Sequence, residues 1–103
     1  MTYRLNIQPR ARAGALMGFR WYHQKSPEAA ERWLAGITNA INSLTKFPER
    51  HPIDEDESEL FEFPIRQMLY GRRPNVDRVL FAVEGNTVSV IAIRHCAQGP
   101  IEP

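Results

Sequence analysis

Apolar and polar residues alternate with period two over Tyr3-Arg4-Leu5-Asn6-Ile7, which predicts a short strand that stops before the donor-less Pro9. From Arg10 to about Gln24, Ala15, Leu16, Phe19 and Tyr22 recur at helical spacing and predict a first helix. Gly14 and Gly18 each weaken that helix by roughly 1 kcal/mol relative to alanine. Ser26-Pro27-Glu28 then supplies a capping oxygen, a proline for the first helical position and an acid where the helix dipole favours one. The second helix that follows carries Ala30, Trp33, Leu34, Ile37, Ile41 and Leu44 in one continuous stripe and ends at Lys46, before Phe47-Pro48. Residues 48–58 hold two prolines and no apolar period, so a loop is expected there. A strand is expected over Leu60 to Leu69, with Pro64 at an edge or a bulge. A turn at Gly71-Arg72-Arg73-Pro74-Asn75 leads to the runs Arg78–Val83 and Val88–Ile93, a hairpin closed by Gly85-Asn86.

The predicted order is β-α-α-β-β-β: an α+β fold with a two-helix hairpin packed on one face of a mainly antiparallel sheet. A length of 103 residues suits one small domain with a thin two-layer core and no deep enclosed cavity. An unbroken hairpin register that pairs Glu84 with Thr87 sets Asp77 opposite Arg94 and Arg78 opposite Ile93. The core face then reads Asp77, Val79, Phe81, Val83, Val88, Val90, Ala92 and Arg94, with Asp77 and Arg94 expected as a structural ion pair. The other face reads Arg78, Leu80, Ala82, Glu84, Thr87, Ser89, Ile91 and Ile93, followed by His95, and is expected to be open. Leu80, Ile91 and Ile93 would there be exposed apolar candidates for a partner interface.

Charge changes this picture more by position than by total. The net charge is only +1, yet Asp54, Glu55, Asp56, Glu57, Glu59 and Glu62 form an acidic block that Arg66, Arg72, Arg73 and Arg78 follow. The basic residues are nearly all arginine, whose planar fork suits phosphate and carboxylate, although codon bias produces the same excess. Arg66, Arg72, Arg73 and Arg78 are thus expected to form a basic surface for phosphates or an acidic protein segment. The acidic stretch reads as a solvated connection, as a neutraliser of those arginines, or as a contact for a basic partner. His95 is the candidate acid or base, but no carboxylate pair, nucleophile motif or phosphate loop stands beside it. Cys96 has no disulfide partner, and His23, His51 and His95 lack zinc-ligand spacing, so neither metal nor cofactor is expected. Without a long apolar run or a signal-peptide core, the chain reads as soluble, cytoplasmic and free of membrane contact.

Four stretches together resemble the ParE/RelE superfamily of toxins from type II toxin–antitoxin (plasmid stabilization) modules. They are Ser26-Pro27-Glu28-Ala29-Ala30-Glu31-Arg32-Trp33, Phe47-Pro48-Glu49-Arg50, Arg66 through Pro74, and Arg78 through Val88 leading into Ile93-Arg94-His95. The resemblance covers nearly the whole chain and is more ParE-like than RelE-like. It implies a growth inhibitor neutralised by a cognate antitoxin, whose C-terminal segment wraps the toxin and whose N-terminal part binds operator DNA. ParE-like members poison DNA gyrase, whereas RelE-like members cut mRNA at the ribosome. For a ribonuclease, the resemblance places Arg78 at the phosphate and Arg94 or His95 near the terminal catalytic positions. The tail Cys96 to Pro103 supplies no acid or base except Glu102, and the acidic loop is poorly suited to RNA. Gyrase is therefore the expected target, with a ribosome-dependent endoribonuclease or a non-toxic antitoxin-binding relative as the alternatives.

Overall fold

Residues 2–95 are described by a computed structural model. Cys96 and Glu102 lie outside the described residues. The first strand, β1 (Arg4–Ile7), leads straight into α1 (Pro9–His23), with Pro9 at the first helical turn, where a missing N–H costs nothing. Ser26 caps α2 (Pro27–Asn42) by accepting from the Ala29 N–H at 3.0 Å, as the Ser-Pro-Glu signal predicts. The apolar stripe buries Ala30, Trp33, Ile37 and Ile41 and continues into a short 3-10 turn through Leu44. Leu34, counted in that stripe, is exposed instead.

The stretch expected as a loop is more ordered than that. After a 3-10 turn at Pro48–Arg50, Asp54 caps a third helix, α3 (Glu55–Phe61), through the Glu57 N–H at 3.0 Å. Its first turn holds Glu55, Asp56 and Glu57, the charge the N-terminal dipole favours. The strand expected from Leu60 therefore starts later, as β2 (Arg66–Arg72), because α3 runs to Phe61 and Glu62 turns out of it in the left-handed region. β3 (Asn75–Glu84) begins three residues before Arg78. β4 (Thr87–His95) completes a sheet of order β1-β4-β3-β2, with β1 parallel to β4 and the other pairs antiparallel.

The hairpin register holds from Glu84↔Thr87 to Phe81↔Val90 and then slips by one at a bulge, so that Leu80 faces Ala92 and Ile91 is the extra residue. Every position of β4 beyond the bulge changes sides. Asp77 faces His95 rather than Arg94, and Arg78 faces Arg94 rather than Ile93. Ile93 joins Val79, Phe81, Val88, Val90 and Met68 under α1 and α2, while Leu80, Ala82 and Ala92 line the opposite face with Ile65. That opposite face is not open: Phe61 of α3 packs against it, and Leu80 is 0% exposed.

Gly14 lets α1 lie directly on β4, since a Cβ there would run into the Ile93 carbonyl oxygen, a backbone atom with little room to move. Gly14→Ala is therefore expected to destabilise by about 1–3 kcal/mol despite the roughly 1 kcal/mol that alanine gains in a free helix. Thermal unfolding by circular dichroism checks this; an unchanged or higher Tm would contradict the close approach.

Candidate functional site

Arg78 projects from β3 onto the sheet face that α3 covers, and its guanidinium is engaged there on several sides. Nε donates to Gln67 Oε1 at 2.6 Å, and the terminal nitrogen Nη2 donates to Asp54 Oδ2 at 2.9 Å and lies 3.8 Å from Glu57 Oε1. Asp54 thus serves twice, as the cap of α3 and as the counter-charge of Arg78. Glu57 is buried, and Arg94 stands next to Arg78 across the strand pair. Burial holds the Arg94 guanidinium below its ordinary value; Glu57 opposes that shift, and Arg10 and Arg78 add to it. Arg66 donates to the backbone carbonyls of Glu49 and His51 at 3.0 and 2.7 Å, fastening the segment before α3 to β2. Beside α3, Arg10, Phe61, Phe63 and Ile91 line an open, mostly apolar groove.

A second constellation sits at the same end of the strand pair, on the opposite face of the sheet. Trp33 Nε1–H donates to Asp77 Oδ2 at 2.8 Å, and both residues are buried. His95, across from Asp77, lies with its ring 4.5 Å from Trp21 and edge-on to Tyr22 at 5.9 Å; Tyr22 in turn stacks on Trp33. Burial pushes the Asp77 carboxyl up from its ordinary 3.8, against the lowering effects of the Trp33 hydrogen bond and the His95 charge. The folded state then binds the Asp77 proton more tightly than the unfolded chain does. Its stabilising contribution is complete below pH 3.8 and is lost as pH rises through the higher folded value. Asp77→Asn is expected to flatten the fall in stability over that acidic range, read as urea midpoints against pH; an unchanged slope would contradict the assignment.

The residues singled out from sequence therefore divide. Arg66 and Arg78 are tied into the fold, whereas Arg72 and Arg73 are exposed at the β2–β3 turn. Leu80 and Ile93 are buried on opposite faces, and of the three apolar candidates Ile91 alone reaches a groove. His95 is buried among aromatic rings rather than grouped with Arg78, with which the bulge leaves it on opposite sides of the sheet. Sequence reading missed the Trp33–Asp77 bond and the burial of Glu57. An acid beside the apolar run of β3 was the available signal for the first, and the Asp54 cap followed by acids for the second. Among the described residues no group of three His, Cys, Asp or Glu stands ready to hold a metal, and no helix is long and apolar enough to cross a membrane.

This fold has counterparts of known structure. The fold is similar to that of a solved structure described as the chromosomal ParDE TA system from P. aeruginosa, at a TM-score of 0.73 and 18% identity over 91% of this chain and 96% of that one. No curated protein matches the sequence. The model of the family described as the ParE toxin of the type II toxin-antitoxin system, parDE, matches residues 6–100, from within β1 to beyond the end of β4, and the chain belongs to that family.

Proposed function

We propose that this chain is the growth-inhibiting toxin of a type II toxin–antitoxin module, neutralised by a cognate antitoxin, and that it acts on DNA gyrase rather than on messenger RNA. Membership of the ParE toxin family supports the module. The observation that carries the choice of target is the state of Arg78. Cleavage of RNA by its own 2′-hydroxyl needs a base, an acid and a cation available to the phosphorane. The Arg78 cation is already matched by Asp54, Glu57 and Gln67, and the carboxylates of α3 give the surrounding face a field that repels phosphate. His95, the candidate base, faces the other side of the sheet.

An antitoxin segment that folds on binding must bury apolar surface to offset its loss of entropy. The groove of Phe61, Phe63 and Ile91 beside α3 suits that role better than Leu80 and Ile93, which the fold has already covered. Operator DNA binding belongs to the antitoxin in this reading.

The purified chain is expected to inhibit gyrase supercoiling at near-stoichiometric ratios, with inhibition removed by the antitoxin, and to leave ribosome-bound message uncut. Unimpaired supercoiling together with cut message would overturn the proposal in favour of the ribonuclease.

A further inference from the structure

The corner that joins the end of α2 to the Pro48–Arg50 turn holds a residue that the fold itself does not call for. Phe47 adopts φ 49° and ψ 52°, the left-handed region, where a side chain carrying Cβ is strained and where glycine or asparagine fits best. Its ring is 77% exposed, the most exposed large apolar side chain among the described residues. Pro48, next to it, is fully buried and does the packing at this corner. The strained backbone is held in place: the Phe47 carbonyl accepts from the Arg50 N–H at 3.1 Å and from the Arg50 guanidinium at 2.9 Å, which also bonds the Lys46 carbonyl and lies 3.3 Å from Ser43 Oγ. Tyr3 hydroxyl donates to Glu49 at 3.1 Å and Arg66 donates to the Glu49 carbonyl, tying the same turn to the residue just before β1 and to β2.

Exposed apolar residues are common and by themselves mean little. Phe47 differs because its exposure has a conformational cost and leaves most of the side chain uncovered, while its neighbours rigidify the position. Strain maintained by surrounding structure is what a preorganised binding residue requires, and a rigid aromatic is the type of side chain that dominates protein interfaces. Lys46 and Arg50, both exposed, flank it with positive charge. We propose that Phe47 is the aromatic anchor by which this protein engages its target, inserting into an apolar pocket rimmed by carboxylates on a protein partner. The proposal rests on the toxin reading above and deepens it, since it names a contact for that reading's target. The groove beside α3, built from other residues, remains for the antitoxin.

The test uses Phe47→Gly, Phe47→Trp and the wild-type chain, each induced in cells and purified with the antitoxin. Phe47→Gly is expected to raise Tm by a few degrees, because relief of the left-handed strain outweighs the added freedom of the unfolded chain. It should still be captured by the antitoxin, yet bind the target at least about thirtyfold more weakly and lose growth arrest. Phe47→Trp should keep arrest. A Phe47→Gly chain that arrests growth like the wild type, or one that loses the antitoxin together with arrest, overturns the proposal. A wild-type chain that arrests growth without affecting gyrase overturns the choice of target but leaves Phe47 to be judged by arrest alone. A wild-type chain that does not arrest growth overturns the toxin reading and this proposal with it.

Discussion

Trp33→Ala is expected to leave little folded protein at growth temperature. The indole lies in the core against α1, stacked on Tyr22 and so close to Gly18 that a Cβ there would enter its ring. Removing it opens a cavity worth about 3–5 kcal/mol in comparable cores, out of a total stability of about 5–15 kcal/mol for a domain of this size. It also takes the indole donor from Asp77 Oδ2 and leaves a buried carboxylate with less compensation. At about 4–8 °C per kcal/mol, the Tm falls by roughly 15–30 °C. Trp33→Phe separates the two contributions. It keeps most of the volume and loses the N–H, so a smaller loss of about 1–3 kcal/mol is expected. Urea unfolding of both variants checks this; a Trp33→Phe chain as stable as the wild type would mean that packing alone matters and that the bond to Asp77 contributes nothing.

Arg78→Ala is the second large effect, and its nature distinguishes a clamp from a catalytic group. Truncation leaves Asp54 and the buried Glu57 without their cation beneath α3. Fully buried pairs broken in this way lose about 3–5 kcal/mol; with the Arg78 side chain 33% exposed, about 2 kcal/mol is the expected cost. The loss should be undone in part by pairing Arg78→Met with Glu57→Gln, since that change removes the stranded charge along with its partner. Toxicity should follow the amount of folded protein, with no change in message integrity for either variant. A stable Arg78→Ala chain whose arrest is abolished would show that the guanidinium acts on substrate.

The sequence carries the first two helices, the edge strand β1 and the hairpin turn in plain form, because each is marked by local chemistry. Ser26-Pro27-Glu28 caps a helix on its own, and Gly85-Asn86 closes a hairpin on its own. What it conceals is the result of long-range competition. Nothing in Val88-Ser89-Val90-Ile91-Ala92-Ile93 marks Ile91 as the residue to be extruded, since every register of that run presents apolar side chains to both faces. The slip is decided by the burial of Ile93 beneath α1 and of Ala92 beside Leu80. One displaced residue then moved Arg94, His95 and the whole assignment of a site, which is why the basic face expected around Arg78 and His95 does not exist as a unit.

The acidic stretch teaches the complementary point. Asp54-Glu55-Asp56-Glu57 was legible as charge but equally as the start of a helix, and the absence of an apolar period hid a helix of seven residues that packs through Phe61 and is held by Arg78. Its charges answer those of the arginine it covers. The same structure therefore explains why a chain of nearly neutral total charge segregates acid and base along its length.

The account is tested most directly by inducing the wild-type chain in cells without its antitoxin and reading transcript integrity and plasmid supercoiling from one culture. Growth arrest with intact transcripts and altered supercoiling is the predicted result. Arrest accompanied by site-specific cleavage of message, with supercoiling unchanged, would contradict it.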